Sequence, residues 1–205
     1  MKIQLILILA TFLTLTSCMT IMKKWYGIKK PDIENKISIL KYSKKKGIDT
    51  TDIVAINVDA YTSKLNGIPD IDIFDKNGKY IEYRQTDSSC NAGLFSFIPE
   101  LKPDGIYKLS EKTDLGTELK KIRTLTGESY IIKDKSNYDF FLIIYWAVFT
   151  GRLNKNHVLV WEQEASNNKN AKIKVIKVNV DIQECWGKAG TDLLESVNKK
   201  IKTKN

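Results

Sequence analysis

Two apolar runs dominate the chain. Residues 3–13 are apolar except for Gln4 and Thr11, and residues 140–149 read Phe-Phe-Leu-Ile-Ile-Tyr-Trp-Ala-Val-Phe. The first run is too short for a membrane-spanning helix, which needs ~20 apolar residues. With Lys2 before it and small residues after it, it reads as a secretory signal. The second predicts a central strand covered on both faces. Ile53-Val54-Ala55-Ile56-Asn57-Val58 and the stretch 172–181 predict two further buried strands. Around Lys76-Asn77-Gly78, residues 70–75 and 79–84 predict a β-hairpin, because Asn-Gly supplies positive φ at a tight turn. Ile71 and Ile73 alternate there with Asp70 and Asp72, the pattern of one buried and one wet face.

Helical spacing predicts a first helix over 31–47. Pro31 sits in its first turn, Asp32 and Glu34 lie at its positive end, and Ile33, Ile37 and Leu40 share one face. Gly47 ends it after Lys44, Lys45 and Lys46. A helical turn over 61–65, a short helix over 91–98 and a longer one over 115–125 follow. Then come a brief strand at 130–132, a helix over 153–166 with Val158 and Trp161 inward, and a last helix over 190–202 carrying Leu193, Leu194, Val197 and Ile201. Strands alternate with helices, and several connections are long enough for parallel crossovers. The expected class is α/β, with a mixed sheet and an antiparallel hairpin at its edge.

Charge changes the picture little. The 205 residues carry a formal net charge of +9. Removing residues 1–17 takes away only Lys2 and leaves 188 residues, room for one α/β domain. The lysines are spread along the chain and read first as a solvated surface. Attraction to anionic lipid or envelope polysaccharide is the electrostatic alternative; an exported protein rarely meets nucleic acid.

Leu15-Thr16-Ser17-Cys18 closes the first apolar run. It resembles the lipobox of bacterial lipoproteins. That resemblance implies cleavage before Cys18, a diacylglyceryl group on its sulfur and an acyl chain such as palmitate on the new N-terminus. Acyl chains contribute ~0.8 kcal/mol per buried methylene, and stable anchoring takes at least two signals, such as a second chain. The expected organisation is a signal peptide over 1–17, a lipidated tether over 18–30 and a body over 31–205. The body divides into possible halves 31–98 and 129–205 joined by 99–128.

Two other cysteines remain. In an oxidising compartment Cys90 and Cys185 either pair with each other or pack separately as small apolar residues. His157 is the single histidine and, with two distant cysteines, makes a poor zinc set. No metal or other cofactor is expected. Asp70, Asp72 and Asp75 alternate on a strand rather than wrapping one ion, so they read as a solvated face.

Two segments resemble parts of the thioredoxin fold. Trp146-Ala147-Val148-Phe149 matches the aromatic approach to the Cys-x-x-Cys turn, within a β-α-β stretch running from 141 to 181. Thr150 and Leu153 stand where the two cysteines would be, Gly151 fits, and Arg152 replaces the usual proline. Residues 67–83, with Ile68-Pro69 leading into the hairpin, resemble the cis-proline hairpin of that fold. The hairpin precedes the β-α-β piece, so the resemblance implies a permuted order of elements in a three-layer sandwich. Lipobox, Trp25-Tyr26-Gly27-Ile28 and the lysine-rich helix together are similar to uncharacterised lipoproteins of the Bacteroidetes.

Thiol–disulfide exchange needs an attacking thiolate and a resolving thiol, and a threonine hydroxyl replaces neither. Thr150 is expected to cap a helix, accepting from a backbone N–H two or three residues on. The sequence thus points to an exported, lipid-anchored protein with a non-enzymatic role toward an envelope protein or polysaccharide. A divergent redox protein using Cys90 or Cys185 is the alternative.

Overall fold

Asn35 decides where the first helix begins. In the computed structural model, which describes residues 23–64, 67–84 and 91–202, Asn35 is extended and its side chain accepts from the backbone N–H of Ser38 at 3.0 Å. The Ser38 hydroxyl accepts in return from the Asn35 N–H at 2.9 Å, a reciprocal cap. Helix α1 is therefore Lys36–Lys46, closed by Gly47 at φ +75°. The expected start at Pro31 is corrected: Ile33–Glu34 forms a short strand, β1. The buried face of α1 is Ile39 and Ser43, and Ile37 is 78% exposed.

Strand β2 (Ile53–Ile56) leads into a 3-10 turn over Val58–Lys64. The hairpin forms as expected, with β3 (Asp70–Asp75), Gly78 at φ +81° and β4 (Lys79–Ile81). A single helical turn, α2 (Leu94–Phe97), follows. Between 99 and 139 the expectations miss most. Leu109–Asp114 is an exposed polar strand, β5. The helix expected over 115–125 stops at Lys120 (α3, Leu115–Lys120), and Ile122–Arg123 is strand β6. Residues 130–132 are not a strand. The apolar run is β7 (Phe140–Trp146), buried at every position. The helix after it is broken at His157 into α4 (Arg152–Asn156) and α5 (Val158–Asn167). Strands β8 (Ile173–Asn179) and β9 (Ile182–Gln183) and helix α6 (Lys188–Lys202) complete the described chain.

Seven strands form one mixed sheet in the order β5-β4-β3-β7-β8-β2-β6. Strands β7, β8 and β2 run parallel, β3 is antiparallel to β7, and β1 and β9 form a separate parallel pair. The fold is α/β, with strands from 31–98, 99–128 and 129–205 all entering this sheet. The hairpin lies inside the sheet rather than at its edge: β5 covers β4, and β3 pairs with β7 from Asp70↔Tyr145 to Asp75↔Phe140.

Both faces are covered, which is why β7 carries no polar residue. Leu142, Ile144 and Trp146 pack with Ile39, Leu94, Val158 and Trp161 on one face. Phe141, Ile143 and Tyr145 pack with Tyr61, Leu115 and, less deeply, Leu193 and Leu194 on the other. This second layer also corrects the expected wet face of β3. Asp72 is only 8% exposed and pairs with Lys64, which Glu118 holds from the other side.

Candidate functional site

Strand β7 ends at Trp146, buried and stacked on Tyr42 with ring centroids 6.0 Å apart. The chain then makes a 3-10 turn over Val148–Thr150 and reverses at Gly151, at φ +64°. A Cβ at 151 would sit 2.5 Å from the carbonyl oxygen of Gly27 and closer still to that of Tyr26. Only glycine fits. Residues 26–29 are held against this turn: Lys29 donates its backbone N–H to Phe149 O at 2.9 Å.

The two positions that resemble a degenerate Cys-x-x-Cys lie here. Thr150 is buried, and its hydroxyl lies 2.7 Å from Ala147 O and 2.8 Å from Asn154 Oδ1. Its one proton is shared between those acceptors. The Asn154 amide donates to Ala147 O at 2.7 Å and to the Tyr42 hydroxyl at 3.0 Å, and Tyr42 donates to Gly151 O at 2.9 Å. Burial raises the Tyr42 phenol above its ordinary range. The expectation that Thr150 caps the next helix is corrected. Its hydroxyl points back to Ala147, Gly151 holds the cap position, and no side chain caps α4. Leu153 is half-buried, and its carbonyl receives the His157 N–H at 3.0 Å. His157 stacks edge-on against Trp161, with centroids 5.3 Å apart, and packs structurally.

Pro69 comes to the same place. The Asp70↔Tyr145 register sets it beside Trp146, and the Ile68–Pro69 peptide is cis. Its carbonyl accepts from the Asn91 amide at 3.0 Å, and Arg84 bridges Asn91 and Asp70.

A buried polar set that the sequence reading passed over stands behind the turn. Asp181 is 1% exposed; its Oδ2 accepts from the Val148 N–H at 2.6 Å and from the Asn179 amide at 2.7 Å. Gln183 donates to Asn179 Oδ1 and to Asp181 O, each at 2.8 Å. Burial pushes the Asp181 carboxyl up to about 7, against the lowering effect of its donors. Burial, with the Asp181 charge, pushes the Tyr61 phenol up to about 12. The available signal was Asn179 and Asp181 alternating with Val178 and Val180, polar residues where a strand buried on both faces should be apolar.

On the second face a charged cluster borders a cavity of about 370 Å³. Lys64 lies 2.7 Å from Asp72 and 3.3 Å from Glu118. Glu118 also accepts from Tyr145 at 3.0 Å, Thr113 at 2.7 Å and Lys121 at 2.8 Å. Burial works against the Glu118 charge, but Lys64, Lys121 and Thr113 outweigh it and hold the carboxyl below its ordinary range. The three aspartates of the hairpin do not converge: Asp70 pairs with Arg84, Asp72 with Lys64, and Asp75 accepts turn N–H groups of Asn77 and Lys79.

Cys185 has no disulfide partner among the described residues; it is exposed at a short 3-10 turn, and partial burial raises its thiol above the ordinary range. It borders a cavity of about 440 Å³ with Glu34, Asn35, Ile37 and Gln183. Cys18 and Cys90 lie outside the described residues, so the pairing of Cys90 with Cys185 has no distance to test it. No helix among the described residues is long and apolar enough to cross a membrane. No family model, no curated protein and no solved structure matches the chain.

Proposed function

We propose that this is a lipid-anchored protein of the bacterial envelope, held to a membrane through acylated Cys18. Its body has a permuted thioredoxin-like arrangement and acts by binding an envelope protein or polysaccharide, without thiol–disulfide chemistry. What supports the thioredoxin-like reading is strand order. In β4-β3-β7-β8, β7 and β8 are parallel and joined through α5, and β3 is antiparallel to β7 and turns into β4. Pro69 opens β3 beside the end of β7, where the resemblance wants it.

One observation carries the non-redox role. Thr150, at the position of an attacking thiolate, is buried with its hydroxyl committed to Ala147 and Asn154, and Leu153 stands at the position of the resolving thiol. A turn built this way has no thiolate to attack a disulfide and no dithiol to be oxidised as the disulfide is reduced. The anchor itself rests on residues 15–18 of the sequence.

The second reading uses Cys185, whose exposure gives access. Its raised thiol works against it, because the reactive species is the thiolate. Insulin-reduction and thiol-trapping assays on the wild type and on Cys90→Ser and Cys185→Ser variants separate the two. The proposal expects no turnover in any of the three. Turnover in the wild type that disappears with either serine would establish the redox reading instead.

A further inference from the structure

Residues 23–37 wrap the end of the sheet where β7 and β8 finish. Residues 23–26 form a helical turn, Tyr26 and Gly27 press on Gly151, Lys29 bonds to Phe149, and Ile33–Glu34 pairs with Ile182–Gln183. This wrapping leaves an unusual surface. Trp25 is 69% exposed and Ile37 78% exposed, although their segment is fixed by backbone bonds. In the same segment Lys23, Lys24, Lys29, Lys30 and Lys36 are all exposed. Like exposed Lys41, Lys44 and Lys45 further along the chain, none of the five has a carboxylate within ion-pair distance among the described residues. The segment's own acids are Asp32 and the half-buried Glu34, so positive charge is in excess.

We infer that this end of the molecule lies on an anionic bilayer, with Trp25 in the headgroup layer and the lysines against acidic lipid. An exposed tryptophan in a segment with five exposed lysines has the composition of a membrane interface: the indole is amphipathic, and each lysine near an anionic surface is worth roughly a fivefold change in partitioning. Chain length selects the bilayer over other occupants. Lys23 is five residue steps from Cys18, which span at most ~18 Å when extended, so a lipid on Cys18 keeps this patch within reach of the surface. This inference rests on the lipid anchor proposed above.

The experiment uses the full protein extracted from its own membrane and reconstituted into vesicles carrying bromine-labelled acyl chains, with acylation read separately by mass. Trp25→Phe subtraction isolates the Trp25 emission. In vesicles containing phosphatidylglycerol, Trp25 is expected to be quenched at least twofold. Quenching should fall toward background in phosphatidylcholine alone, at high salt, and in a variant with Lys23, Lys24, Lys29 and Lys30 each changed to Glu. Trp25 emission that stays unquenched by lipid and open to aqueous iodide in acylated, vesicle-bound protein overturns the docking and assigns the patch to another partner or to none. Quenching in protein that carries no acyl mass overturns the anchor and leaves the docking standing. Absence of both overturns both.

Discussion

The Asp181 carboxylate accepts the backbone N–H of Val148 at 2.6 Å. One bond thus ties the exit of β8 to the turn that leaves β7, and it sets the geometry of the residues around Thr150. A carboxylate with 1% exposure is held there only because donors from Val148 and Asn179 meet it.

The pH dependence of this tie has a definite sign. The Asp181 carboxyl sits at about 7 in the fold and near 3.9 in an unfolded chain. The folded state therefore binds the proton more tightly, and this group makes the protein less stable as pH rises from about 4 to about 7, by on the order of 4 kcal/mol. Urea denaturation at stepped pH should show that fall. Asp181→Asn should flatten it while keeping an acceptor for Val148. An unchanged pH profile in the variant would contradict the assignment.

Glu118 acts in the opposite direction. Its carboxyl is held below its ordinary range, so its stabilisation is present at neutral pH and is lost as pH falls through the folded value. Lys64 is raised: burial disfavours its charge, but Asp72 and Glu118 outweigh it, and its contribution is lost only in strongly alkaline solution. Lys64→Met leaves the nearly buried Asp72 carboxylate without its cation, while Glu118 keeps Lys121, and should cost about 3–5 kcal/mol at pH 7. A loss within 0.5 kcal/mol, the range of an ordinary surface change, would contradict a buried role.

Gly151→Ala should destabilise by roughly 2–5 kcal/mol, combining left-handed strain with overpacking against the backbone of residues 26 and 27. Thermal unfolding checks this. A neutral substitution would mean that the tether does not pack on the turn.

Thr150→Val keeps the shape and removes the hydroxyl, leaving the buried Asn154 Oδ1 without its donor, a loss of about 1–3 kcal/mol. Combined with Asn154→Ala, the effects should fall short of additive, because both changes break one network. Full additivity in the double-mutant cycle would separate the two residues.

Where the chain follows strong periodic rules, its sequence shows its fold. Phe140–Trp146 is apolar without break because both faces of β7 are covered, and Asn77-Gly78 marks its turn by backbone chemistry alone. The failures have physical causes as well. Strand β5 reads Leu-Ser-Glu-Lys-Thr-Asp, polar because it is an exposed edge held by backbone bonds to β4. Ile33 and Ile37 match a helical face, but the reciprocal cap of Asn35 and Ser38 starts the helix later and frees Ile33 to pair with Ile182. Asp72 looks wet in the alternation because its partner Lys64 comes from the preceding 3-10 turn and is itself held by Glu118, distant in sequence. In the candidate site, Thr150, Gly151, Leu153 and Pro69 were legible through the resemblance and do lie around the end of β7. Tyr42 and Asn154, which lock Thr150, carry no local signal: they meet across 112 positions of chain.

The central claim, a folded body tied to an envelope membrane by lipid on Cys18, is tested most directly by intact mass spectrometry of the native protein. The account predicts a chain beginning at Cys18 and heavier than its sequence by a diacylglyceryl group and an N-terminal acyl chain. A chain that retains residues 1–17, or starts at Cys18 with no added mass, would contradict it.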